Sequence, residues 1–266
     1  MKRYVLPGLV FIQIALCCCS IVPITGRRQL DIIPDNQMMS TSYQQYSQFM
    51  KEHKLSDDRE MTEMVKRVGR RIQNGVENYF SEQGMKDQLK NYSWEFNLIE
   101  SEEVNAWAMP GGKVVIYTGI LPVTMDERGL AVVMGHEIAH AVAKHGDERL
   151  SYVLITQMGG MALSEALENA PDETRQLWMA VYGVGTQIGV LLPYSRTHEN
   201  EADHLGLIFM AMAGYNPRAS LDFWQRMLEK KEGPAPPEFL STHPAGETRI
   251  NNIQSLMPEA MKYYNR

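Results

Sequence analysis

The spacing of hydrophobic positions changes twice along the chain. Met61, Met64, Val65, Val68, Ile72 and Val76 fall three and four apart, the spacing that lines one face of an α-helix. The whole stretch from Asp35 to Phe80 reads mostly helical, with Asp57 and Asp58 available to cap a helix start. From Tyr92 to Glu100 the pattern shortens to alternation, which predicts a strand. Asn105 to Met109 predicts a second strand, and Pro110-Gly111-Gly112 turns the chain into a third, Lys113 to Tyr117, where Val114, Val115 and Ile116 are β-branched. From Asp126 helical spacing returns and holds nearly to the end. Breaks are expected at Gly146, Ala170-Pro171, Pro193, Gly214 to Pro217, Gly233 to Pro237 and His243-Pro244. A small sheet followed by many helices predicts an α+β fold, predominantly helical, with a small antiparallel sheet. No fixed repeat excludes a solenoid, and the absence of a linker makes residues 19–266 read as one domain.

The start of the chain reads as an address. Lys2 and Arg3 precede an apolar run from Tyr4 to Leu16, broken only by Pro7, Gly8 and Gln13, which is the pattern of a secretory signal. Leu16 lies three positions before Cys19 with small residues between, and this resembles a bacterial lipoprotein cleavage box. Residues 1–18 would then be a signal peptide and Cys19 the lipidated first residue, with Cys18 as the alternative site. That reading makes the body a periplasm-facing protein held at a membrane of the cell envelope. An uncleaved anchor over Tyr4 to Gly26 is weakened by Pro7 and Pro23. A second charge-free stretch, Gln176 to Ser195, carries Gly185 and Gly189 in a GxxxG spacing. It is short for a bilayer span and predicts a buried helix.

Composition narrows the partners. With 26 Lys+Arg against 32 Asp+Glu, a net charge of −6 and no basic cluster, nucleic acid is excluded as a partner. All three cysteines lie within Cys17 to Cys19, so the body has no disulfide framework and no thiolate site. A metal in the body must be held by histidine and carboxylate.

His136-Glu137-Ile138-Ala139-His140 supplies such ligands. On a helix, residues four apart differ by only about 40° around the axis, so His136 and His140 can grip one ion. Glu137 stands beside that pair without filling a ligand position. Leu130 to Met134 and Ala141 to Ala143 make the flanks apolar, which predicts a buried helix whose imidazoles need partners. A catalytic zinc takes a third protein ligand and leaves its fourth position to water. Candidates gather in Ser195 to His204, where Glu199 and Asp203 share a face, about 40° apart. Glu199 can serve as ligand while Asp203 orients a ligand imidazole. Glu201 points to the opposite face, and together with His204 it reads as solvated helix surface. His53, His145 and His198 also read as surface residues.

HEIAH followed by ENEAD resembles the HExxH…ExxxD pair of peptidase family M48, zinc metallopeptidases with a gluzincin-like fold. The resemblance is to the envelope lipoprotein type and covers most of the body. Asn105-Ala106-Trp107-Ala108-Met109-Pro110-Gly111-Gly112-Lys113 is similar to the family's strand and Gly-rich turn beside the cleft. Tyr117 to Leu121 is similar to its connection into the zinc helix, and Ser195-Arg196 and Gly214 to Pro217 flank ENEAD as in the family. The resemblance implies one zinc ion per chain on His136, His140 and Glu199, with Glu137 as catalytic base and Asp203 as the outer carboxylate. It implies that His243, in Ser241-Thr242-His243-Pro244, approaches the metal, either steadying an oxyanion or latching the water position. A loop histidine capping the final helix is the alternative. Arg196 is expected either to stabilise developing negative charge or to pair with nearby acids.

The implied activity is zinc-dependent hydrolysis of peptide bonds in unfolded or misassembled envelope proteins, by a zinc-activated water with Glu137 as general base. Substrate would add as a strand along Asn105, Ala106, Trp107, Ala108 and Met109. The rival reading is a zinc-holding chaperone or assembly factor with little or latched activity.

Overall fold

A computed structural model describes residues 19–168, 170–186, 192–231 and 237–264. Residues 1–18 of the expected signal and residues 187–191 of the charge-free stretch, Gly189 included, lie outside the described residues. The chain divides into two compact units. One is drawn from Met1–Gln37 and Lys144–Arg196, the other from Met38–Ala143 and Thr197–Arg266.

The first unit opens with a short antiparallel pair, β1 (Cys19–Ile21) and β2 (Arg28–Leu30). It also holds helices α5 (His145–Ala166) and α6 (Asp172–Thr186). The start of α5 is fastened by polar contacts: Arg27 pairs with the buried Glu148 at 2.7 Å, and Ile32 N donates to Ser151 Oγ at 3.2 Å. The break before α5 falls at Lys144 rather than at Gly146, which lies inside the helix. Lys144 takes a φ of 57°, a left-handed conformation that costs a non-glycine residue roughly 1–2 kcal/mol. Its ammonium offsets that cost by bridging Asp31 and Asp35. The expectation of a buried helix over Gln176 to Ser195 is corrected on α6. Leu177, Trp178 and Val181 are more than half exposed, because the described elements lay no apolar surface over them. No described helix is long and apolar enough to cross a membrane.

The second unit carries the three-stranded sheet and the buried helix that bears HEIAH. The helical pattern from Asp35 to Phe80 resolves into α1 (Asp35–Glu52) and α2 (Arg59–Glu82). They are separated because the intervening backbone pairs with a strand: Ser56 N donates to Leu98 O and Glu100 N to Lys54 O, each at 2.9 Å. Asp58 caps α2 by accepting from Met61 N, and Val65, Val68, Ile72 and Val76 are buried along one stripe. Strands β3 (Glu95–Ile99), β4 (Ala106–Met109) and β5 (Lys113–Tyr117) form a sheet in the order β3-β5-β4. The β4–β5 hairpin is antiparallel, as expected, and turns through Gly111 and Gly112 at φ 87° and 83°. A side chain at either glycine would strike Tyr43 or Trp94. Strand β3 joins the other edge of β5 in parallel, Phe96 opposite Val114. Strand β5 is therefore central, and all five of its residues are buried.

After a short helix, α3 (Leu121–Thr124), Asp126 caps α4 (Glu127–Val142), accepting from the backbone N–H groups of Arg128 and Gly129. Thirteen of the 16 residues of α4 are buried, as the apolar flanks of HEIAH demand. Helices α7 (Leu192–Met212), α8 (Ala219–Lys231), α9 (Phe239–Thr242) and α10 (Glu247–Tyr264) complete the chain. Pro193 sits in the first turn of α7, where its missing N–H costs nothing. Gly214 turns the chain out of α7 at φ 79°. The fold is the predominantly helical α+β architecture with a small sheet.

Candidate metal centre

Helices α4 and α7 approach closely because glycine faces glycine. A Cβ on Gly135 would lie 2.9 Å from Gly206 O, and one on Gly206 would lie 3.0 Å from Gly135 C and His136 N. Backbone contact at this crossing brings His136 and His140 of α4 against Glu199 and Asp203 of α7.

The ligand-type atoms of His136, His140, Glu199 and His243 all lie within 4.8 Å of one another. His136 Nε2 is 3.1 Å from His140 Nε2 and 3.1 Å from His243 Nδ1. Glu199 spans the imidazoles, at 3.4 Å from His136 Nε2, 3.3 Å from His140 Nε2 and 3.0 Å from His243 Nδ1. Three imidazole nitrogens and one carboxylate converging this closely suit a borderline ion such as zinc. With Asp203 against the Nδ1 of His136, the Nε2 of that ring faces the cluster, as a metal-ligating imidazole held by an outer carboxylate does.

The ligands are held from behind. Asp203 Oδ1 is 3.0 Å from His136 Nδ1, the ring nitrogen turned away from the cluster. Arg249 of α10 grips Asp203 twice, Nε to Oδ2 at 2.8 Å and Nη2 to Oδ1 at 2.7 Å, and its Nη1 is 3.1 Å from Glu199 Oε2. The guanidinium lies 3.4 Å from the centroid of the fully buried Trp224, a cation–π contact in a dry setting. His243 is positioned by the end of α9. Its backbone N–H donates to Phe239 O, the Phe239 ring stacks on it at 4.5 Å, and Arg249 Nη1 donates to Pro244 O at 3.2 Å. Phe239 N in turn donates to Val104 O at 3.0 Å, just before β4.

These surroundings displace the titrations. Burial drives Glu199 towards its neutral form, but the imidazoles of His136, His140 and His243 overcome it and hold the carboxyl well below the usual range. Burial likewise opposes the charge on Asp203, and Arg249 with His136 pulls its pKa down. For His136, burial favours the neutral ring while Asp203 and Glu199 favour the cation, and without metal the balance lies at about 9. Glu137 moves the other way, pushed up by burial. Its Oε1 is buried without a hydrogen-bond partner, 3.4 Å from His243 Nε2.

The structure thus brings together His136, Glu137, His140, Glu199, Asp203 and His243 from the residues singled out in the sequence. The ring of His243 faces Glu199 and His136, not a helix end. Arg196 is exposed and is not among the groups gathered here; the buried guanidinium is that of Arg249. His145, His198 and Glu201 are buried, correcting their reading as surface residues. Also on α7, the half-buried His204 pairs with Glu259 at 2.9 Å. His53 is exposed and stacks on Phe49. Strand β4, expected from Asn105, runs Ala106–Met109 and packs against α4. Asn105 instead caps its start, accepting from Ala106 N at 2.9 Å. Trp107 Nε1 donates to Tyr117 OH at 3.3 Å, and among the described residues the outer edge of β4 pairs with no strand.

Known proteins are similar to this chain in sequence. The chain is 33% identical over 244 residues to the mitochondrial metalloendopeptidase OMA1 of Schizosaccharomyces pombe, covering 90% of this chain and 66% of that one. It is 32% identical over 264 residues to the mitochondrial metalloendopeptidase OMA1 of Bos taurus, covering 96% of this chain and 49% of the relative. It is 30% identical over 168 residues to the beta-barrel assembly-enhancing protease of Escherichia coli, covering 61% and 34%. The chain thus spans between a third and two thirds of the length of these relatives. Residues 66–257, which hold His136, His140, Glu199 and His243, match the model of peptidase family M48, and the chain belongs to that family.

Proposed function

We propose that the chain is a zinc-dependent endopeptidase of the bacterial cell envelope, acting on unfolded or misassembled proteins. The convergence of His136, His140, Glu199 and His243 within 4.8 Å carries the reading. His136, His140 and Glu199 would hold one zinc ion, and Asp203 with Arg249 orients His136 and Glu199. When bound, the zinc polarises the scissile carbonyl and makes water a stronger nucleophile. Glu137 is the base: Oε1 takes the proton of the attacking water and delivers it to the leaving amine. The burial that leaves this oxygen without a hydrogen bond also raises its basicity. The free edge of β4 receives an extended peptide through backbone hydrogen bonds, with Trp107 and Met109 beside it, so affinity depends little on sequence.

His243 favours a second, compatible state. Its Nδ1 stands 3.1 Å from His136 Nε2 and its Nε2 3.4 Å from Glu137, inside the space that water and carbonyl require. In this arrangement the peptidase is latched, and the protein in that state holds clients without cutting them. Displacement of the Phe239–Pro244 segment frees the site.

The envelope setting is supported by Lys2 to Cys19, which reads as a lipoprotein signal with Cys19 as the lipidated residue, and by the likeness to the Escherichia coli protease. On this reading residues 19–266 form the mature metallopeptidase. Arg196, exposed on α7, would either stabilise developing negative charge or pair with nearby acids. The test pairs zinc content with cleavage of an unfolded protein for wild type, Glu137→Gln and His243→Ala. One zinc in each, with cleavage lost in Glu137→Gln and raised in His243→Ala, supports the latched peptidase. Zinc without cleavage in any of the three turns the reading to an assembly factor. Absence of zinc from all of them removes the site.

A further inference from the structure

A second group of oxygen ligands gathers inside the unit drawn from Met1–Gln37 and Lys144–Arg196. Asp31 follows β2, Asp35 opens α1 and Asp147 lies in the first turn of α5. One carboxylate oxygen of each lies within 4.8 Å of the other two. The backbone around them is fastened so that they face one another. Leu30 N donates to Glu148 Oε1 at 3.3 Å, Ile32 N donates to Ser151 Oγ, and Ser151 Oγ donates back to Asp147 O at 2.8 Å.

Acidic clusters are common without a ligand, but here the protein leaves two oxygens unanswered. Asp147 is only 3% exposed, and its Oδ1 is buried with no hydrogen-bond partner; Asp31 Oδ1 is buried and unpartnered as well. Lys144 approaches the group, but its Nζ binds Asp31 Oδ2 at 3.2 Å and Asp35 Oδ1, so neither orphan oxygen is reached. The other nearby cation, Arg27, is committed to Glu148. Three carboxylates against one ammonium leave two negative charges. Burial, with the charge on Asp31, pushes Asp147 up to about 7.

We propose that Asp31, Asp35 and Asp147 bind one Ca2+ ion per chain, at a site separate from the peptidase centre. All the donors are hard oxygens, and the net charge of the three carboxylates and Lys144 matches a divalent ion. Oxygens held at roughly 2.3–2.6 Å from a shared Ca2+ lie within about 5 Å of one another, as these do. Ca2+ is favoured over Mg2+ because three carboxylates from three separate elements do not impose an octahedron, while the exposed Asp35 leaves room for water ligands. Lys144 is the internal competitor: it neutralises part of the cluster without the ion and must release Asp31 and Asp35 when Ca2+ enters.

The test is calorimetric titration of CaCl2, and separately MgCl2, into the zinc-loaded full-length protein in calcium-depleted buffer. The expected result is one Ca2+ per chain with a dissociation constant on the order of 10–100 μM, and weaker Mg2+ binding. Asp147→Asn and Asp31→Asn each weaken Ca2+ at least about tenfold, while Lys144→Met tightens it, because the competing charge is gone. Lys144→Met keeps all three ligands, so it reads the site even where a carboxylate variant folds poorly. Glu199→Gln leaves the Ca2+ titration unchanged. No saturable Ca2+ binding in wild type and Lys144→Met overturns the proposal. Ca2+ binding that survives both carboxylate variants, or is lost in Glu199→Gln, puts the ion elsewhere and overturns it equally. Tighter Mg2+ than Ca2+ overturns the choice of ion.

Discussion

The glycine contact between α4 and α7 makes a quantitative prediction. Carbon atoms in van der Waals contact sit about 3.5–4.0 Å apart, and a Cβ on Gly206 would start 3.0 Å from Gly135 C and His136 N. Gly206→Ala therefore forces the helices apart by several tenths of an ångström, next to His136 and within one turn of Asp203. Two effects oppose each other. Alanine in a helix interior is favoured over glycine by about 0.5–1 kcal/mol, while overpacking a filled contact costs about 1–3 kcal/mol. The clash is with backbone, which cannot rotate away, so overpacking wins and the net loss is up to about 2.5 kcal/mol. Gly135→Ala, with its Cβ 2.9 Å from Gly206 O, behaves the same way. Because both methyls enter one gap, the double variant departs from additivity. Zinc affinity, read by competition with a chromophoric chelator, falls at least about tenfold as Glu199 and Asp203 draw back from His136. Gly146→Ala on α5 is the control. Its added Cβ meets nothing within 4 Å, so it gains up to about 1 kcal/mol in urea denaturation with zinc affinity unchanged. A Gly206→Ala protein that gains stability like the control and keeps its zinc would refute the idea that this crossing sets the ligand geometry.

Arg249→Met leaves Asp203 buried without its guanidinium and should destabilise by about 3–5 kcal/mol while weakening zinc; Arg249→Lys does not rescue, since one ammonium cannot reproduce the paired Nε and Nη2 bonds. Thermal melting with zinc analysis checks both variants. Asp147, an acid held at about 7 in the folded chain against an ordinary 3.8, binds its proton more tightly folded than unfolded. Its contribution is therefore full below pH 3.8, is lost as pH rises through 7, and is flat above. In calcium-free urea titrations Asp147→Asn should remove a fall in stability of up to about 4 kcal/mol across that window. A pH profile identical to wild type would sink the assignment. Peptide inhibitors that add to β4 should lose affinity when alternate amides are N-methylated, about tenfold or more for each backbone bond removed; equal inhibition by methylated and unmethylated peptides rules out strand addition.

The parts of this protein that the sequence makes legible are those whose cause is local. The spacing of Val65, Val68, Ile72 and Val76 predicts their burial, and Asp58 lies where a cap is needed. The helical angle between Glu199 and Asp203 anticipates that one meets the imidazole cluster and the other the far nitrogen of His136. The helix break at Lys144 is not legible, because glycine would be the local choice and its ionic partners lie 109 and 113 residues away. Arg249 is invisible for the same reason: nothing in its neighbours separates it from a surface arginine until Trp224 of α8 and Asp203 of α7 close around it. Glu201 shows where angular reasoning stops. It does stand on the face of α7 away from the ligands, yet it is buried, because tertiary packing reaches that face too. Angles computed from sequence divide a helix into faces; only the packing of other elements decides which face meets water, and on α7 Glu201 is buried while Thr197 and Asn200 nearby are exposed.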